Sequence, residues 1–164
     1  MSLNLITIYA YQSFCGFVFH HIALLVSAFM AGLSLGAWIM IRSLAKMRDL
    51  MRNLLVIESF FALSSIGIGL TLLARGPSLS YFLLSMLTGF FTGIEFPLAN
   101  KIYTGGGKKV ESGGLLYGLD LLGSWIAALF ISMALVPLVG IVNTCTLLFT
   151  VKLISLSLLA NNRP

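Results

Sequence analysis

Charge is what this chain has least of. Ten Lys and Arg and five Asp and Glu make up only 9% of its 164 residues, where soluble domains carry roughly 25%. So few charged side chains cannot cover a surface that faces water, which excludes a soluble globular domain. With 59% hydrophobic residues and a mean hydropathy of +1.02, the composition predicts an all-α, polytopic transmembrane helix bundle, with residues 1–164 as one domain. Cysteine is nearly as scarce. Cys15 and Cys145 lie far apart, with no zinc spacing and no C-x-x-C-H haem attachment sequence, and read as small buried residues. The first residues lack the basic start of a secretory leader. Also missing are G-x-G-x-x-G, the Walker A loop, the nucleophile elbow and H-E-x-x-H, so no enzyme, cofactor or metal site is expected. The net charge of +5 is no nucleic-acid signal, because the basic residues sit in loops between apolar runs and on no single face.

What is present is apolar sequence cut into about six helical segments. Residues 3–41 hold no Asp, Glu, Lys or Arg, and one straight helix of that length would span nearly twice a ~30 Å bilayer core. The run must turn, at about 15–21, where Gly16, His20 and His21 interrupt it. That leaves a first segment, 3–14, short of the ~17–25 residues a crossing needs. It reads as a half-length or re-entrant helix, or as the remainder of a longer one. Its polar Tyr9, Tyr11 and Gln12 predict packing against protein. Further segments are expected at 22–41, 53–74, 79–103, 113–136 and 142–160. The polar loops between them are 42–52 and 104–112, with tight turns at 75–78 and 137–141.

Basic residues mark the cytoplasmic loops of membrane proteins. Arg42, Lys46, Arg48 and Arg52 lie in one loop, and Lys101, Lys108 and Lys109 at the other, against Arg75 alone on the opposite side. The pattern predicts a multi-pass protein of a bacterial inner membrane with both termini cytoplasmic.

Ionisable side chains inside apolar segments are costly and mark paired or functional positions. There are four: Glu58, Glu95, Asp120 and Lys152. The topology puts all four in the cytoplasmic halves of their helices, as one layer in which Lys152 can neutralise one carboxylate. The layer is either a structural register pin or a proton or cation site. Ser85, Thr88, Thr92 and Glu95 share one helical face, beside a kink expected at Pro97. Gly113, Tyr117, Asp120 and Ser124 share another, and the two faces are expected to pack so that Glu95, Tyr117 and Asp120 converge. Gly32-x-x-x-Gly36 suits close helix contact within the chain, and Gly89 and Gly93 do the same. Adjacent His20 and His21 point about 100° apart on a helix and cannot supply both axial ligands of one haem. They read as interfacial, with a quinone or metal contact as the alternative.

FMAGLSLGAW at 29–38, GIEFPLANKIY at 93–103 and GGLLYGLDLLGSWIAALFISMALVPLVG at 113–140 resemble the membrane domain of bacterial spermidine synthase-like integral membrane proteins. The resemblance covers most of the chain, including the run at 11–26. That family usually carries a fused aminopropyltransferase-like domain. No such domain is in this sequence, so the resemblance implies a membrane bundle and no transferase activity. A weaker similarity is to half of a major-facilitator transporter, although the loop IRSLAKMRD lacks the D-R-x-G core.

The function expected from these observations is that of a non-catalytic membrane subunit or anchor of a larger complex. Its partners would be the lipid bilayer and other membrane subunits or a second copy. The alternatives are a dimeric half-transporter for a cationic solute or polyamine, and a quinone-adjacent subunit of a respiratory assembly that uses His20 or His21.

Overall fold

The computed structural model describes residues 2–16, 19–44, 50–74, 76–104 and 110–161. Every element among them is helical: α1 (Ser2–Cys15), α2 (Phe19–Ser43), α3 (Leu50–Leu73), α4 (Ser78–Thr104) and α5 (Val110–Phe130). A π-helical segment (Ile131–Leu135) joins α5 to α6 (Val136–Val139), and α7 (Ile141–Asn161) follows. Five stretches are long and apolar enough to cross a membrane: Phe19–Ser43, Leu50–Thr71, Ser78–Tyr103, Gly113–Val139 and Ile141–Leu159. The chain is an all-α, multi-pass membrane bundle. Lys46, Arg48, Arg75, Lys108 and Lys109, which carry much of the expected loop charge, lie outside the described residues.

α1 is the exception in length. Its 14 residues reach about 21 Å at ~1.5 Å each, short of a ~30 Å core. Leu3, Ile6, Thr7, Ala10 and Tyr11 are all buried, a helical stripe with i, i+3, i+4, i+7 spacing. With that stripe α1 wedges into the middle of the bundle and touches α2, α3, α4, α5 and α7. The expected packing against protein is therefore observed, but through a partly different set of residues. Tyr11 is buried, Tyr9 and Gln12 only in part, and Asn4 and Thr7 are the polar residues turned inward. Thr7 is tolerated there because its hydroxyl donates to the Leu3 carbonyl at 2.8 Å.

The turn after α1 is shorter than its sequence suggests. Gly16, at φ 76°, takes a left-handed conformation that suits glycine, and α2 has already begun at Phe19. His20 and His21 thus belong to the first turn of a helix and not to a loop.

The most extensive contact in the bundle joins α2 to α4. Both helices carry a glycine pair, and the pairs face each other. A Cβ at Gly32 would collide with the Met86 carbonyl, one at Gly36 with the Phe90 carbonyl, one at Gly89 with that of Phe29, and one at Gly93 with that of Leu33. Backbone thus meets backbone along about two turns, the geometry small-xxx-small faces permit. The Gly32-x-x-x-Gly36 motif serves contact within the chain, as its spacing predicts. At the end of this seam the Lys101 Nζ donates to the Leu44 carbonyl at 2.6 Å. A cation there complements the carbonyl end of α2.

α3 packs on α7, and Ser65 ties them by donating to the Cys145 carbonyl at 2.8 Å. Cys145 itself is buried, as expected. The carbonyl keeps its own helical bond, so Ser65→Ala should be mild. We expect a loss of about 0.6 kcal/mol, the average for such bonds in membranes, read as a small drop in thermal unfolding temperature in bicelles.

The sequence ends the fifth segment at 136, before Pro137. The helix in fact passes through the proline. Pro137 has no N–H and crowds the preceding turn, and the backbone responds by widening. The Val136 N–H bonds back to the Ile131 carbonyl, five residues away, in a π turn. The stop comes at Gly140, at φ 85°.

Candidate functional site: an acidic cavity at membrane depth

The four intramembrane ionisable residues fall at one level. Glu58 is the ninth residue of α3 and Asp120 the eleventh of α5. Glu95 lies nine residues before the end of α4, and Lys152 nine before the end of α7. Each is therefore about 12–15 Å of helix from an end, at ~1.5 Å per residue. Because α3 and α5 run opposite to α4 and α7, those ends lie on one side of the bundle.

A cavity of about 350 Å³ opens at this level. α1 contributes Leu3 and Asn4, α2 Phe29, α3 Phe61, and α4 Thr88, Thr92 and Glu95. α5 contributes Leu119, Asp120, Gly123, Ser124 and Ala127, and α7 Lys152. Each of these helices exposes a face to the same space, so the site belongs to the fold and to no single loop.

On the closed side the Lys152 Nζ meets the Glu58 Oε2 at 2.8 Å. The Glu58 side chain is 7% exposed and that of Lys152 is 30% exposed. The Phe61 ring lies under the ammonium, 4.9 Å from it, close enough for cation–π attraction. A buried carboxylate is tolerated only when paired, and Lys152 provides the pair. Glu95 is half-buried and lines the cavity on the same level as Lys152.

Asp120 occupies the open side. It is exposed, and no hydrogen bond or ion pair holds it among the described residues. One ammonium therefore serves three carboxyl groups, and its ion pair among the described residues is with Glu58.

The rest of the polar lining is arranged differently. The Thr92 hydroxyl donates to the Thr88 carbonyl at 2.8 Å, and Thr88 to that of Ser85 at 2.9 Å. Their protons are used within α4, which leaves oxygen lone pairs turned to the cavity. The Ser85 Oγ sits 2.9 Å from the Leu25 carbonyl and 3.0 Å from the Asn4 Oδ1. That contact fixes α1 against α2 and α4 directly above the site.

Two sequence expectations are corrected here. Tyr117 does not join Glu95 and Asp120: its ring is half exposed and stands edge-on to Phe96, with centroids 5.8 Å apart. Nor do α4 and α5 pack closely. Their contact is slight beside that of α4 with α2, because the glycine seam brings α2 nearest and holds α5 across the cavity. Residues missed in the sequence are Asn4, Phe29, Phe61 and Ser124's neighbour Gly123. Asn4 could have been found from the Asn4, Thr7, Tyr11 repeat.

His20 and His21 stand apart from the cavity, in the first turn of α2. His20 is exposed. The His21 ring lies 5.8 Å from Tyr11 and 6.4 Å from Phe82, centroid to centroid, among aromatic rings and not beside a carboxylate. No group of three or more metal-ligating side chains occurs among the described residues.

Comparison of the chain with protein-family models, with curated proteins and with solved structures finds no match. The fold and site by themselves define a class: a multi-pass helical membrane protein with an acidic, polar-lined cavity at membrane depth.

Proposed function

We propose that this chain is a half-transporter that carries a small organic cation through its acidic cavity. The observation that carries the reading is the charge inventory of the cavity. Glu95 and Asp120 line it beside Lys152, whose ammonium is already paired with the buried Glu58, in a space large enough for a linear diamine and lined by Phe29 and Phe61. Ionisable groups at this depth are costly unless paired or functional. Two spare carboxylates match a dication in charge, and aromatic faces add cation–π attraction. A linear diamine, or a polyamine built from such units, is the solute class that fits.

In this reading the protein sits in a bacterial inner membrane with both termini and the loops at 42–52 and 104–112 cytoplasmic. The basic residues of those loops support that orientation. The cavity then lies in the cytoplasmic half of the bilayer.

The test is charge-selective labelling. Ser124→Cys in a Cys15→Ser, Cys145→Ser background puts one thiol on the cavity wall. A cationic methanethiosulfonate should modify it at least tenfold faster than an anionic one, and 1,4-diaminobutane should protect it. Equal rates, or no reaction from either side of the membrane, would overturn the proposal. Because Tyr117 lies away from the cavity, Tyr117→Phe should leave the protection unchanged.

A second reading, a non-catalytic subunit of a larger membrane complex, draws support from α5. Its apolar window is 6% buried, against 56% in α3, so most of its surface is open to lipid or to another protein. Mild-detergent purification separates the two. A stoichiometric foreign subunit supports the complex, and a homodimer supports the half-transporter.

A further inference from the structure

The Lys152–Glu58 pair has features that a structural pin does not need. Its lysine lines the cavity, and the Glu58 end behind it is the deeply buried one. The lysine end is partly exposed to the cavity, on a flexible four-carbon stem with rotatable donors. We infer that Lys152 is a tethered stand-in for the solute: its ammonium occupies the Glu58 carboxylate when the cavity is empty and is displaced when an organic cation binds. This inference rests on the half-transporter reading and adds to it the residue that competes with the solute.

The electrostatics run in one direction. The groups that face the Lys152 ammonium are Glu58 and Phe61 on α3, Glu95 on α4 and Asp120 on α5. Without Lys152 the empty cavity would present Glu95 and Asp120, with the buried Glu58 behind them and no cation, an arrangement costly at membrane depth. With it, one carboxylate is neutralised by a 2.8 Å ion pair. A solute ammonium entering about 350 Å³ meets both the carboxylates and a like charge. Like charges in a site of low dielectric repel strongly, so the solute and Lys152 cannot both remain against Glu58. The lysine gives way because its far end is the mobile partner. Displacement keeps the net charge of the empty and loaded cavities closer than simple addition of a cation would, and a carrier must reorient in both states.

Competition of this kind lowers affinity for the solute, which makes the direction of the mutational effects specific. The measurement is calorimetric titration of 1,4-diaminobutane into the full chain in lipid nanodiscs, with size-exclusion profiles to confirm folding. Lys152→Gln removes the competitor and should bind the diamine about tenfold more tightly than wild type. Glu58→Gln/Lys152→Gln removes the contested carboxylate as well and should return affinity toward wild type or below. Lys152→Arg keeps the charge and grips Glu58 with a planar fork, so it should fold like wild type and bind several-fold more weakly.

If Lys152→Gln binds equally or more weakly, or Lys152→Arg binds more tightly, the stand-in role is wrong while the acidic cavity survives. If neither wild type nor Lys152→Gln binds the diamine, the carrier reading falls and this inference falls with it. If Lys152→Gln does not fold, the sign of the Lys152→Arg effect decides.

Discussion

Gly89→Leu is expected to abolish folding of the bundle, and Gly36→Leu to do the same from the other helix. At both positions the first added carbon already meets a main-chain carbonyl, that of Phe29 or of Phe90. A side chain could rotate away, but a carbonyl can move only if α2 and α4 separate. Their separation would release the longest interface in the protein and the Lys101–Leu44 contact at its end. Overpacking a tight core costs typically 1–3 kcal/mol and occasionally more. Obstruction by the facing backbone at each glycine places alanine at the top of that range and leucine beyond it. The measurement is the yield of monodisperse protein after detergent extraction, with the thermal unfolding temperature of whatever is recovered. Gly114→Ala and Gly118→Ala are the controls. No atom lies within 4 Å of a Cβ at either site, and alanine favours a helix over glycine by up to ~1 kcal/mol, so both should express normally. A normal yield of Gly89→Leu would mean that α2 and α4 are not in backbone contact.

The same seam shows how far the sequence could be read. Both glycine pairs are visible as small-xxx-small spacing, because close approach needs small residues at one-turn intervals. That the two pairs face each other is not visible, since any glycine face suits any other. The level of Glu58, Glu95, Asp120 and Lys152 follows from counting residues along antiparallel spans, and the structure keeps it. The choice of Glu58 as the partner of Lys152 does not follow, because it depends on α3 packing against α7, a pairing that apolar lipid-facing surfaces do not encode. Helical phase alone groups Tyr117 with the acidic residues. Phase gives the face of a helix, but not its distance from the next helix, and α5 is held off α4 across a cavity. By sequence, Pro137 reads as a stop. Proline excludes one hydrogen bond, and a π turn absorbs that loss without ending the helix.

The larger functional effect is expected from Glu95→Gln/Asp120→Asn. These carboxyl groups are the two outside the Lys152–Glu58 ion pair, and they line the cavity from different helices, α4 and α5. The amides keep shape and hydrogen-bonding capacity but cannot ionise. Folding should survive, because neither residue is held in an ion pair among the described residues. Cation binding should not survive. Each charge–charge contact in a partly buried site contributes on the order of 1.5 kcal/mol or more, and two such losses amount to a hundredfold or greater fall in affinity. If the layer is only a register pin, the double variant will instead match wild type in every binding measurement and differ, at most, in stability.

Calorimetric titration of 1,4-diaminobutane into wild type and Glu95→Gln/Asp120→Asn, each reconstituted in nanodiscs, is the most direct measurement. Saturable binding with one diamine per chain in wild type, reduced at least a hundredfold in the folded double variant, is the predicted result. No saturable binding to wild type, or equal binding to both proteins, would contradict an acidic cavity that holds an organic cation.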